Sequence, residues 1–201
     1  MKTFRDRFEE NYVAVPRQTE KGKVKVDYVY YGPWYYWDIP KKNLKKVKLR
    51  SVLLCSLSTL LYLACGFFRT AVNTYLLVMV PSLLSICALI YEIIGTVRFA
   101  AAAYPTTRPT YEDVNRMLCL APHFHAILVI VTAIMCGWVL VMADFEPAGI
   151  VVMLGYLLSA ALSLFLRKEY MALPLRAERN KAADELIDGE EDAGNESGTL
   201  E

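Results

Sequence analysis

Four long apolar runs divide the chain: Ser51–Phe68, Thr70–Val97 (interrupted only by Glu92), Met117–Ala143 and Pro147–Leu166. A helix rises about 1.5 Å per residue, so each run is long enough to cross a hydrocarbon core of about 30 Å. The pattern predicts an all-α membrane protein, a four-transmembrane-helix bundle with spans at 51–68, 74–97, 121–143 and 148–166. The connections at 66–73 and 144–149 are short, so the spans pair as two helical hairpins.

Ahead of the first run the period changes. Lys23–Tyr31 alternates, placing Val24, Val26, Tyr28 and Tyr30 on one face of a strand. Gly32-Pro33 punctuates it, and Trp34-Tyr35-Tyr36-Trp37 follows. Two readings stay open for this aromatic segment. It folds as a short β-hairpin around Gly32-Pro33, or it lies irregularly in the headgroup layer, where Trp and Tyr bury an apolar body and keep a polar tip wet. Residues 1–22 show no sustained period beyond a short helix expected around Phe4–Tyr12. Pro40 suits a helix start, and Lys41–Arg50, with six basic residues in ten, reads as a juxtamembrane helix entering span one.

Between spans two and three, Tyr104–Pro109 reads as stiff and non-helical. Thr110 with Asp113 has the N-cap pattern and predicts a short helix from Tyr111 to Leu118, with Pro122 marking entry to span three. Leu175–Ile187 reads as a weakly amphipathic helix, and Asp188–Glu201 as a disordered acidic tail. The predicted organisation is therefore an N-terminal arm at 1–46, a transmembrane domain at 47–168 and a C-terminal tail at 169–201.

Charge orients this framework. Placing both termini and the middle loop in the cytoplasm puts 21 of the 22 Lys and Arg residues there, leaving Arg69 outside. Cytoplasmic loops carry that excess, so an N-in, C-in protein of the plasma membrane is expected. The basic run abuts a span and meets anionic lipid headgroups first, which argues against nucleic acid as a partner. Trp34, Tyr35, Tyr36, Trp37, Lys41, Lys42, Lys45, Lys46, Lys48 and Arg50 are the candidate lipid-interface residues, although a run of this kind often serves only to set topology. No cleavable leader and no lipidation box are expected at either end.

Candidate chemistry is sparse. Cys55, Cys65, Cys87, Cys119 and Cys136 contain no Cys-x-x-Cys pair and read as apolar packing residues. No nucleophile elbow, zinc motif or phosphate loop is present, so no enzymatic activity, cofactor or metal is expected. Small or polar residues recur at three-four spacing, as in Ser51, Cys55, Ser58, Tyr62 and Cys65, and mark one inward face per helix. Gly155, Ser159 and Ser163 form a second seam on span four, open to another subunit.

Glu92 is the one carboxylate inside an apolar run, six residues before Arg98 and so about 9 Å along the helix from it. Span three enters from the same side with His123 and His125, making these three the candidate intramembrane polar site. Glu92 is either a proton- or cation-binding group or a structural carboxylate bonded to Tyr62, Tyr91 or a histidine. Its place near an interface favours the structural role. The expected function is a non-enzymatic accessory, assembly or anchoring subunit, in a homo-oligomer or larger membrane complex. The alternative is a small oligomeric transporter or channel using Glu92.

Overall fold

A computed structural model describes residues 11–18, 24–142 and 145–180. It is mostly helical, and four helices are long and apolar enough to span a membrane. These are α1 (Lys41–Phe67), α2 (Leu76–Ala101), α3 (Arg108–Met142) and α4 (Pro147–Met171). Among the described residues there are also five short strands: β1 (Tyr12–Gln18), β2 (Val24–Tyr30), β3 (Trp34–Trp37), β4 (Thr106–Thr107) and β5 (Leu175–Glu178). By compactness the chain divides into two units. One comprises Met1–Tyr36, Ala103–Tyr111 and Leu175–Glu201, and the other Trp37–Ala102 with Glu112–Pro174.

The strand-containing unit corrects several expectations. An N-terminal hairpin exists, but β2 pairs antiparallel with β1, from Tyr12↔Tyr30 to Gln18↔Val24, and not with the segment after Gly32-Pro33. Tyr12–Val15 supplies β-forming side chains, and Pro16 is tolerated because a two-stranded sheet has only edges. The Trp34–Trp37 segment instead pairs with Thr106 and Thr107, and β5 lies on its other side. Rings reinforce the choice, with Tyr35 stacked on Tyr111 at 4.8 Å and Tyr36 edge-on to Tyr104 at 5.6 Å. Leu175–Glu178 is therefore strand and not helix: the open edge of β3 supplies backbone partners that outweigh a weak helical preference.

Tyr30 anchors this unit. Its hydroxyl donates to the Pro33 carbonyl at 2.6 Å and accepts from the Arg108 N–H at 2.9 Å, while its own carbonyl accepts from Asn180. Desolvation by burial pushes its phenol above the ordinary value. Gly32 lies so close that a Cβ there would sit 2.6 Å from Asn11 Oδ1 and 2.7 Å from the Tyr30 hydroxyl. The residues of the expected Phe4–Tyr12 helix before Asn11, and the whole acidic tail, lie outside the described residues.

In the helical unit, α1 starts directly after Pro40, as the proline and basic run predict. α3 differs from expectation at both predicted boundaries. It begins at Arg108, three residues early, because Pro109 in the first turn needs no hydrogen-bonded N–H. Thr110 Oγ1 meets Thr107 Oγ1 at 3.0 Å. The helix then continues through Pro122 without a break. One lost backbone bond is tolerated where neighbouring helices pack against the site, and Pro122 is buried.

The inward faces follow the small-residue pattern closely. All five residues named on α1 are buried, as are His125, Val129, Thr132 and Cys136 on α3, and Gly149, Val152, Tyr156, Ser159 and Ser163 on α4. On α2 the buried line is Ser85, Leu89, Glu92 and Thr96, and Ala88 is displaced from it. The second α4 seam turns inward as well. A Cβ on Gly155 would collide with Cys65 Sγ, so this glycine lets α1 and α4 approach within the same chain.

Candidate functional site

One polar residue from each of the four helices converges in the helical unit: Ser58 of α1, Glu92 of α2, His125 of α3 and Ser163 of α4. All four are fully buried. Ser163 Oγ donates to Glu92 Oε1 at 3.0 Å, and His125 Nδ1 lies 3.0 Å from Glu92 Oε2. His125 Nδ1 also lies 3.0 Å from Ser163 Oγ, and Ser163 Oγ 3.0 Å from Ser58 Oγ. Ser159 Oγ continues the chain by donating to the Ser58 carbonyl at 3.0 Å.

A carboxylate only accepts, which sets the direction of the donors. Nδ1–H of His125 and O–H of Ser163 both point at Glu92, Ser58 donates to the Ser159 carbonyl at 3.1 Å, and Ser159 donates to the backbone of α1. Every hydroxyl then has an acceptor, and the carboxylate is held from two helices other than its own. His125 Nε2 is buried without a hydrogen-bond partner. As a bare acceptor nitrogen it is cheaper to bury than an unpaired N–H, so the geometry fits the Nδ1–H tautomer. The ring of Tyr62 packs edge-on against His125 at 5.6 Å, and its hydroxyl donates to the Ser82 carbonyl.

Of the three residues expected at this site, the structure joins Glu92 and His125 and leaves out His123, which is exposed two residues along α3. Tyr91 is 58% exposed and Tyr62 bonds elsewhere, so neither phenol reaches Glu92. Ser58 and Ser163 stood on the correct faces in the sequence without being singled out. Nothing in the spacing told which serine on which helix reaches the depth of Glu92. No group of three or more metal-ligating side chains occurs among the described residues.

The candidate lipid-interface residues separate into three sets. Lys41, Lys42, Lys45 and Lys46 are exposed on α1. Trp34, Tyr35 and Tyr36 are half-buried in the strand-containing unit. Trp37, Lys48 and Arg50 form the third set, held against other parts of the helical unit. Trp37 is 2% exposed and meets Phe99 edge-on at 5.2 Å. Lys48 Nζ donates to the Ala102 carbonyl at 2.6 Å and lies 5.6 Å from the Trp37 ring and 5.7 Å from that of Phe99. A cation at the carboxyl end of α2, beside two rings, answers both the helix dipole and the ring quadrupoles. Arg50 pairs with Glu169 of α4 at 2.8 Å. Lys48 and Arg50 thus also tie α1 to α2 and α4.

No protein-family model, curated protein or solved structure matches this chain.

Proposed function

We propose that this is a non-enzymatic, multi-pass protein of the plasma membrane that acts as an accessory, assembly or anchoring subunit, with both termini and the 100–122 loop in the cytoplasm. One observation carries the reading. Glu92, the carboxylate most able to serve transport, has both oxygens engaged by side chains of other helices and no exposure. A coupling group has to exchange partners with an ion or substrate, whereas a group bonded in this way fastens helices together. Anionic lipid at Lys41, Lys42, Lys45 and Lys46, and a membrane complex formed with other subunits or further copies, complete the reading. The charge partition supports the orientation.

The test is co-purification in mild detergent with a Glu92→Gln variant in parallel. The accessory reading expects a larger complex around the wild type, and a variant whose yield falls together with its assembly. A variant that inserts and assembles normally yet abolishes a proton-coupled flux would overturn it. That outcome belongs to the second reading, a small oligomeric transporter or channel. The observation favouring it is the unpartnered, buried Nε2 of His125, a nitrogen able to take a proton beside the carboxylate.

A further inference from the structure

The helical unit carries an open groove of about 430 Å³ between α2 and α3. Cys87, Ala88 and Tyr91 of α2 form one wall, and Met117, Leu120 and Phe124 of α3 form the other. Asp113 and Arg116 stand at the end nearer the start of α3. The volume lies within the range of small-molecule sites, about 300–1,000 Å³.

Two features of this groove point to one occupant. Its body is apolar and opens on a face where Leu120 and Phe124 are exposed, on helices long and apolar enough to cross a membrane. Hydrocarbon tails are the solvent there. Its charged end is asymmetric: Asp113 is paired with Arg98 at 3.0 Å, whereas Arg116 is exposed and has no ion pair among the described residues. A guanidinium presents a fork of donors that matches a phosphate, and its stem can lie on apolar surface. Arg116 is eight residues before Phe124, a rise of about 12 Å along α3, so the cation and the deep end of the groove are separated along one helix.

We propose that this groove is a binding site for an anionic phospholipid, with one acyl chain between Ala88, Leu120 and Phe124 and the phosphate on Arg116. The site is distinct from the basic run of α1, since its cation is single, lines an apolar cleft and shares it with a carboxylate, Asp113, that Arg98 already pairs. It depends on the helices crossing a membrane and not on the accessory role, so failure of either leaves the other standing.

The experiment uses the full chain in mild detergent. Native mass spectrometry counts retained phosphatidylglycerol against phosphatidylcholine of the same acyl composition, in salt that screens exposed charges to a Debye length of about 8 Å. The wild type is expected to retain one phosphatidylglycerol in preference to phosphatidylcholine. Arg116→Gln should weaken phosphatidylglycerol about tenfold, to the level of phosphatidylcholine, the loss of one charged hydrogen-bonding partner. Ala88→Trp should fill the groove and displace both lipids, with Leu120→Trp as a second filling variant if the first elutes as misfolded protein. Equal retention of the two lipids by the wild type would overturn the proposal without any variant. So would undiminished phosphatidylglycerol preference in Arg116→Gln, which would assign the lipid to the basic run, or in a folded groove-filling variant.

Discussion

Tyr91 and Glu92 are neighbours in sequence and opposites in environment. Tyr91 is 58% exposed on the outer face of α2, while Glu92 is 0% exposed on the inner one. The same division runs along α1, where Ser51, Cys55 and Ser58 face inward and Leu53, Leu57 and Leu60 face outward. A water-soluble bundle is arranged the other way. In hydrocarbon, burying leucine gains nothing over leaving it against lipid, so helices associate through close backbone approach and through polar groups with no other partner. The inner face is held by specific bonds and the outer face is replaceable.

The contrast predicts where substitutions hurt. His125→Ala leaves a buried carboxylate short of its histidine donor, and should cost about 1.5–3 kcal/mol in thermal or denaturant unfolding in micelles. Tyr91→Ala, one helix face away, should stay within about 0.5 kcal/mol of wild type. Equal losses from the two would erase the distinction between the faces.

Gly155→Ala should follow, at about 1–3 kcal/mol, because its Cβ would collide with Cys65 Sγ. The sharper measurement is rescue: Cys65→Ala removes the obstructing sulfur, so the double variant should regain most of the loss. Ser163→Ala removes one donor to Glu92 and should cost about 1–2 kcal/mol, since interhelical polar bonds in membranes are individually modest. Lys48→Met keeps the stem and removes the ammonium that caps α2, for about 1 kcal/mol.

The inner face was largely legible because its signal is local. Small and polar residues at three-four spacing identify a face from one helix alone, and α1, α3 and α4 bury the residues so identified. Glu92 and His125 could be matched because both sit close to same-side ends of the predicted spans, 74–97 and 121–143. The missed features depend on partners remote in sequence. β1 was obscured by Pro16 and Arg17 in a polar arm. β3 finds Thr106–Thr107 some 70 residues later. Lys48 resembled its neighbouring lysines, yet its helical position alone turns it toward the end of α2. Pro122 is a breaker in water and only a lost bond inside a packed bundle.

The bonds from His125 Nδ1 to Glu92 and Ser163 imply that Glu92 and His125 act as one structural unit. A double-mutant cycle tests it directly, with Glu92→Gln, His125→Asn and the combined variant compared by reversible unfolding in the same micelle. A coupling of about 1 kcal/mol or more is expected, the double variant losing clearly less than the two single losses combined. Additivity within about 0.5 kcal/mol would contradict it, and would leave the two residues as neighbours that do not hold the bundle together.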